Sequence, residues 1–296
     1  MIAMRSRTAA FLLWATAIIC IILLFAGEGK FGVRSLDRLW DLGHLPAFGL
    51  FAYLLVTRWK VLARRPFAQQ LLIALLLMGA FGWTVEILQL LVGRTFSWLD
   101  LRKDLLGAST ALAFGAPGPK GLKNYGRAAL KTVVVALILL EAAPMARACI
   151  DEFIAWRQFP VLSDFETPFE RERWSGSAHF EIDRSIHRLG DASLRVDLGT
   201  ETYSGAGMNF FPRDWRGQRF LCIELYNPDL DPIVLTCRVN DKAHNQRGYH
   251  YADRFNRAFT LDPGWHTLEI PIETIRDAPQ GRAMDLDDID SFMLFA

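Results

Sequence analysis

The chain has 296 residues, of which 51% are hydrophobic, and a formal net charge of only +1. That small charge hides two opposite halves: residues 1–150 carry 17 Lys and Arg against 7 Asp and Glu, whereas residues 151–296 carry 16 against 25. Such a break predicts a basic membrane domain over 1–150, a linker over 151–160 and an acidic soluble domain over 161–296. The acidic balance of the second half argues against a nucleic-acid partner.

The first half contains five apolar runs, each a candidate membrane helix, at about residues 9–26, 44–57, 69–92, 104–116 and 129–149. A helix needs roughly 20 residues to cross a bilayer, so the second and fourth runs are short, but amphipathic stretches at 36–43 and 95–103 can lengthen or tilt them. We therefore predict an α-helical membrane bundle of five transmembrane helices. The first run follows Arg5 and Arg7 and lacks a clear cleavage site, so a retained signal anchor is favoured over a cleaved signal peptide.

Lys and Arg in the loops between these runs predict the orientation in the membrane. Ten of them fall on one side and six on the other, so the N-terminus is expected in the cytoplasm. With five spans the second half then lies outside the inner or plasma membrane, in the periplasm of a bacterium. The segment Ala146-Arg147-Ala148 has the small-x-small form of a signal-peptidase site, so release of the second half by cleavage near Ala148 is an alternative.

Polar side chains interrupt the apolar runs at the level predicted to be the outer interface. Asp41 and His44 open the second run, and Glu86 and Gln89 close the third. In each pair a three-residue spacing on a helix places both side chains on one face. Polar groups at membrane depth are costly and must face one another or water, which makes them candidate functional residues. The predicted membrane polar cluster consists of Asp41, His44, Glu86, Gln89, Arg94, Asp100 and Asp104.

These residues carry a resemblance to the VanZ-like membrane family, named for a glycopeptide (teicoplanin) resistance protein. The matching segments are Asp41-Leu-Gly-His44 with Phe48 and Gly49, Glu86-Ile-Leu-Gln89, and Arg94 to Gly107. The resemblance covers about residues 36–116 and departs at Asp104, where the family usually has Asn. It implies a link to the cell envelope and to glycopeptide antibiotic resistance rather than a defined reaction.

The cluster has two interpretations, of which the first is structural. Here Glu86 pairs with Arg94 and Asp41 pairs with His44, and the pairs hold helices together because a buried charge needs a partner. Glu141, midway along the fifth run, is likewise expected to pair with a Lys or Arg of another helix.

In the second interpretation the cluster lines an outward-facing cavity for a lipid or glycan head group. Arg94, Arg102 and Lys103 would attract phosphate, and His44 could exchange a proton with a carboxylate. A metal is not expected there, since no second His lies near His44 in the first half.

From residue 161 onward the sequence changes to short alternating runs separated by Gly, Pro, Asp and Asn. The nine predicted strands cover residues 161–166, 178–183, 192–198, 207–211, 219–226, 233–240, 255–261, 265–272 and 289–295. They predict an all-β antiparallel sandwich. Cys222 falls on the opposite face of its strand from the apolar side chains, whereas Cys237 lines up with them, so two free thiols are expected.

The second half resembles the galactose-binding-like jelly rolls, which include several carbohydrate-binding modules. The resemblance covers about residues 161–296 and rests on Asp164-Phe165-Glu166, Trp174, Gly190 to Arg195, Asp214 to Gly217, Gly264 to Pro271 and Asp285 to Phe295. It implies an all-β jelly-roll sandwich and, through its members, saccharide binding. Trp174, Trp215 and Trp265 occupy positions that resemble packing residues of that fold and are expected in or beside the core.

The loop from Asp241 to Asp253 is the better ligand candidate, because loops on a rigid sandwich often carry binding. Its hydrogen-bonding and aromatic side chains are Lys242, His244, Asn245, Gln246, Arg247, Tyr249, His250 and Tyr251. A merely solvated loop is the alternative. A structural calcium ion is a third option, which the related modules suggest and for which Glu166 and Asp290 are suitable oxygen donors.

Three functions are open at this point. The first is an envelope protein that binds a lipid-linked or glycopeptide-related head group and carries a saccharide-binding module. The second is a membrane enzyme or transporter acting on a polyprenyl or phospholipid head group, with Asp41, His44, Glu86 and Arg94 as its working residues. The third is a structural scaffold whose sandwich docks a partner protein. The second half contains neither Gly-x-Ser-x-Gly nor a phosphate-binding Gly-Lys-Ser/Thr motif, so it offers no catalytic set.

Overall fold

The computed structural model describes residues 14–22, 32–91, 93, 95–115 and 124–296. The chain divides into two compact units, Met1–Cys149 and Ile150–Ala296, which we call the helical unit and the β unit.

The described part of the helical unit consists of α-helices. Residues 14–22 are helical (α1), and the next elements are α2 (Arg34–Asp41), α3 (His44–Arg58), α4 (Lys60–Ala63), α5 (Phe67–Leu91), α6 (Trp98–Gly115) and α7 (Asn124–Gln158), the last of which runs on past the end of the unit.

Three helical stretches are long and apolar enough to cross a membrane: Arg34–Arg58, Phe67–Leu91 and Tyr125–Gln158. The structure therefore supports three of the five predicted spans. The fourth predicted span corresponds to α6, which has only 18 residues and includes four charged ones. The first predicted span is described only over residues 14–22.

Two glycines let α3 and α6 cross closely. A Cβ atom added to Gly107 would lie 2.3 Å from the Leu45 carbonyl oxygen, and one added to Gly49 would lie 3.2 Å from the Gly107 carbonyl oxygen. Small residues at such crossings are typical of membrane helices, which gain packing contacts when their backbones approach. This crossing brings the starts of α3 and α6, and with them the polar cluster, together.

The β unit contains nine strands: β1 (Trp174–Ser175), β2 (His179–Asp183), β3 (Ser193–Asp197), β4 (Gly205–Met208), β5 (Phe220–Asn227), β6 (Ile233–Asp241), β7 (Phe255–Leu261), β8 (Gly264–Pro271) and β9 (Ile289–Phe295). Two short helices, α8 (Lys242–Gln246) and α9 (Ile272–Arg276), follow β6 and β8, and 3-10 turns lie at Glu170–Arg173 and Tyr251–Asp253.

All strand pairs are antiparallel. The strands form a five-stranded sheet in the order β1-β4-β9-β6-β7 and two separate pairs, β2-β3 and β5-β8. The β5-β8 pair packs on the five-stranded sheet, because Leu221 and Ile270 share one buried cluster with Cys237, Val239 and Phe292. The helical part is thus followed by a β-sandwich unit, as the alternating sequence pattern predicts.

One predicted strand is wrong. Residues 161–166 form a loop instead of a strand. The loop is held by the buried carboxylate of Glu170, which accepts hydrogen bonds from the backbone N–H groups of Asp164 and Phe165, both at 2.9 Å. Burial opposes ionisation of this carboxyl, but the hydrogen bonds it accepts from the Phe165 N–H and the Ser163 hydroxyl outweigh burial and lower the pKa of Glu170.

The three predicted core tryptophans differ in their positions. Trp215 is buried in the core and Trp174 packs at its edge. Trp265 is 39% exposed on the outer face of β8, so the expectation for it is wrong. The sequence does not show which face of β8 the Trp265 side chain occupies, since an aromatic residue is compatible with either face of a strand. The two cysteines lie as expected, with Cys237 in the core and Cys222 exposed.

Candidate functional site

The polar cluster of the helical unit centres on a buried pair between α3 and α6. His44 Nδ1 lies 2.8 Å from Asp104 Oδ1, and both side chains are almost fully enclosed. Within the described residues Asp104 is the only hydrogen-bond partner of His44. The other carboxylate oxygen, Asp104 Oδ2, faces Gly82 of α5, where an added Cβ would lie only 2.4 Å away.

The predicted pairing of Asp41 with His44 is therefore wrong. Asp41 ends α2 and His44 begins α3, and the turn between them breaks the helical geometry in which a three-residue spacing shares a face. Asp41 is about half exposed and lies 3.9 Å from Arg38. It stays within electrostatic reach of the cluster through Lys103, Asp100 and His44.

Glu86 and Gln89 extend the cluster from α5, and both are about 1% exposed. Glu86 Oε2 accepts a hydrogen bond from the Ser97 backbone N–H at 2.7 Å, and the Ser97 hydroxyl in turn accepts from the Asp100 N–H at 3.2 Å. These bonds satisfy backbone groups at the start of α6, where a negative charge is favourable. The predicted partner, Arg94, lies outside the described residues.

Two ion pairs complete the cluster. Asp100 accepts from Lys103 Nζ at 2.7 Å, one turn further along α6. Glu141 of α7 lies 2.7 Å from Arg102 Nη2, which confirms that Glu141 pairs with a basic residue of another helix. The structure thus places Asp41, His44, Glu86, Gln89, Asp100 and Asp104 in one region of the helical unit, where the His44–Asp104 pair joins α3 to α6 and Glu86 joins α5 to the start of α6.

In the β unit, the predicted ligand loop is fixed at its base by a charged network. Arg282 donates from Nη2 to Asp241 Oδ1 at 2.9 Å and from Nε to Asp253 Oδ1 at 2.6 Å, so it joins the two ends of the loop. Burial opposes ionisation of Asp241, yet the bonds from Arg282 hold its pKa below the usual value. The same guanidinium lowers the pKa of Asp253.

His244 belongs to this buried base and not to a ligand surface. Its Nδ1 lies 3.1 Å from the Asp253 carbonyl oxygen. Because a carbonyl oxygen only accepts, the proton is assigned to Nδ1, and Nε2 is an acceptor. Nε2 is buried and has no partner in the described part of the chain. Burial and the nearby charges of Arg238 and Arg254 lower the pKa of His244, so the ring is neutral at pH 7.

The remaining predicted loop residues face outward. Tyr249 and Tyr251 are 62% and 70% exposed, and Arg247 and Lys242 are exposed as well. Asn245 is half-buried and donates from Nδ2 to Asp290 at 2.6 Å. The loop therefore consists of a rigid ionic base and an exposed aromatic rim.

Sequence reasoning missed the side chains that lie beside this rim. Arg238 of β6 stands opposite Asn256 of β7, and Arg254 precedes Asn256 by two residues in extended conformation, so all three share the outer face of the five-stranded sheet. Tyr203, 56% exposed, lies within electrostatic reach of Arg238, as does Tyr249. We call Tyr203, Arg238, Tyr249, Tyr251, Arg254 and Asn256 the arginine–tyrosine surface. Polar residues that alternate with apolar ones along a strand are the ordinary pattern of a solvent-exposed face. The sequence alone therefore did not indicate that these residues form a candidate binding surface.

The proposed calcium donors are not brought together. Glu166 Oε1 accepts from the Asp191 backbone N–H, and Asp290 accepts from Arg213 at 2.9 Å and from Asn245. Across the described ranges, no group of three or more His, Cys, Asp or Glu side chains is placed to hold a metal ion.

A second exposed aromatic pair lies on the outer face of the β5-β8 pair. Tyr226 stands opposite Trp265, with 5.1 Å between ring centroids. The polar groups beside it bond to each other, since Arg188 donates to Glu224 at 2.6 Å and to Thr267 at 3.0 Å. This face therefore offers fewer unsatisfied polar groups to a ligand than the arginine–tyrosine surface.

The fold and these surfaces define a protein with a helical part, in which three helices could cross a membrane, and a β-sandwich with an exposed aromatic surface. No protein-family model and no curated protein matches the chain.

Solved structures similar to this chain are family 11 carbohydrate-binding modules of Clostridium thermocellum. One, in complex with a β-1,3-1,4-mixed-linked tetrasaccharide, has 20% sequence identity and a TM-score of 0.36, covering 46% of this chain and 84% of that one. Another, from a cellulosomal cellulase, has 20% identity and a TM-score of 0.33, covering 46% and 83%. Similarity of this extent establishes neither a family nor a ligand.

Proposed function

We propose that the protein is an integral membrane protein of the cell envelope whose β unit binds a saccharide at the arginine–tyrosine surface. One observation carries the proposal: Tyr249 and Tyr251 present exposed rings on a loop whose two ends Arg282 clamps together. Tyrosine combines a flat apolar ring with a polar hydroxyl, which suits the apolar face and the hydroxyl rim of a sugar. A loop that is already ordered loses little conformational entropy on binding.

Binding by the full-length protein in lipid nanodiscs tests this function. A glycan array supplies the ligand, and titration calorimetry compares variants. We expect Tyr249→Ala and Tyr251→Ala each to weaken binding by about tenfold, because each removes a stacking ring. Trp265→Ala is the matched control, since it removes an exposed ring from the β5-β8 face. Loss of binding in the control alone, or the absence of any bound glycan, would overturn the proposal.

For the helical unit we propose a VanZ-like role in which the cluster recognises a lipid-linked or glycan head group. Support comes from the groups that stay accessible at its edge, namely Asp41 and Arg102, which are 48% and 59% exposed. With the five spans that the apolar runs predict, the loop charges further support a cytoplasmic N-terminus and an extracytoplasmic β unit in the inner or plasma membrane. Enzymatic or transport activity on the same head group is the alternative proposal. Substitution of Glu86 distinguishes a packing role from a ligand-binding role. The packing role predicts less folded protein, whereas the ligand-binding role predicts normal stability and lost head-group binding.

A further inference from the structure

Two arginines of the β unit lie next to each other without an ion-pair partner in the part of the chain that the structure describes. Arg238 and Arg254 are diagonal neighbours on the outer face of the β6-β7 ladder, a separation that long side chains easily bridge. Both are half-buried, and in each the Nε atom is enclosed without a hydrogen-bond partner among the described residues. Neither makes an ion pair there. This is unusual, since buried guanidinium groups in proteins are normally paired.

Electrostatics in this part of the unit favour an anion. Burial and the charge of Arg254 both lower the pKa of Arg238, so the two cations disfavour each other. Asp290, a carboxylate within electrostatic reach of Arg238, is already bonded to Arg213 and Asn245. The unit as a whole is acidic, with 25 Asp and Glu against 16 Lys and Arg over residues 151–296, yet neither arginine forms an ion pair with any described carboxylate.

The surroundings supply a second kind of contact. Arg254 lies over the Tyr251 ring, 5.2 Å from its centroid, and Tyr203 and Tyr249 stand within electrostatic reach of Arg238. Asn256 Oδ1, between the two arginines on the same face, is a buried acceptor without a partner in the described chain. Paired guanidinium groups bind carboxylate or phosphate, and the tyrosines offer faces for a ring.

We propose that the arginine–tyrosine surface selects acidic saccharides, with Arg238 and Arg254 binding a carboxylate or phosphate group on the sugar. This rests on the proposed saccharide-binding function and names the class of its ligand. Neutral sugars offer the guanidinium groups only hydroxyl oxygens, which are weaker acceptors than a carboxylate or phosphate, and would bind more weakly for that reason.

Titration calorimetry on the full-length protein in nanodiscs, at low and high salt, tests the inference with three probes: tetragalacturonate, its uncharged methyl ester and inorganic phosphate. We expect tetragalacturonate to bind at least about tenfold more tightly than its ester, which corresponds to one charge-assisted hydrogen bond. That preference should shrink as salt rises. Arg238→Gln and Arg254→Gln should each abolish most of it.

Arg257→Gln is the matched control, because it removes the same charge from β7 of the same sheet, on the face opposite to Arg238 and Arg254. Thermal unfolding checks that the variants fold, and Arg238→Gln should be at least as stable as the native protein, since it removes the repulsion between the two arginines.

Three outcomes would contradict the inference in different ways. If the ester and the acid bind equally, and Tyr249→Ala abolishes this binding, the acidic preference is overturned and saccharide binding remains. Binding of phosphate alone, lost on Arg238→Gln, would retain the anion site and overturn the saccharide function. No binding by folded protein would overturn both.

Discussion

At the scale of single residues, Glu86 shows how a membrane carboxylate can serve structure. Its oxygen accepts from the Ser97 N–H, where the backbone enters α6 and would otherwise have an unsatisfied donor. The sequence indicated that Glu86 is polar at membrane depth and needs a partner. It could not indicate Ser97, because any residue can offer a backbone N–H and only the turn before α6 brings this one near.

We predict that Glu86→Gln lowers the amount of folded protein. The amide can still accept from Ser97 but loses the charge that favours the start of α6, a cost of roughly 1–2 kcal/mol. Fluorescence-detected gel filtration after thermal challenge measures the surviving folded fraction. Asp41→Asn is the control and should have little effect, because Asp41 is half exposed and its nearest cation is 3.9 Å away. Unchanged stability together with lost head-group binding would show that Glu86 serves the ligand instead.

At the scale of elements, helix crossings and strand faces differ in how well the sequence determines them. Alternation predicted eight of the nine strand segments near their observed positions, since it reflects burial on one face of a sandwich. The failure at residues 161–166 came from Glu170, a buried polar residue that organises a loop locally. The pairing of Arg282 with Asp241 was also beyond prediction, because residues 41 apart meet only when the sheet is assembled.

We predict that Gly107→Ala disrupts the helical unit whereas Gly79→Ala does not. A Cβ at Gly107 meets the Leu45 backbone at 2.3 Å, so α3 and α6 must separate and pull His44 from Asp104. At Gly79 the nearest atom is a Leu105 side-chain carbon at 3.5 Å, an ordinary contact, and alanine favours a helix over glycine by about 1 kcal/mol. The measurement is the thermal midpoint of each variant in detergent. Equal midpoints would show that the crossing is not tight.

At the scale of the whole molecule, the opposite charges of the two halves predicted two units, and the chain divides into Met1–Cys149 and Ile150–Ala296. The periodicity of the sequence predicted the structural class of each unit, because continuous apolar runs are typical of buried or membrane helices and alternating runs of strands with one buried face. The position of the ligand-binding surface could not be predicted from the sequence. The predicted loop supplied Tyr249 and Tyr251, but Arg238 and Arg254 became candidates only when the sheet showed them side by side, with no hydrogen-bond partner for either Nε atom among the described residues.

Hydrogen–deuterium exchange of the full-length protein in nanodiscs, with and without tetragalacturonate, tests the central claim most directly. The central claim is that the arginine–tyrosine surface is where the β unit binds its ligand. We predict slower exchange in peptides that cover residues 238–256, with no change in those that cover 220–227 and 264–271. Protection of the β5 and β8 peptides alone, or of none, would contradict it.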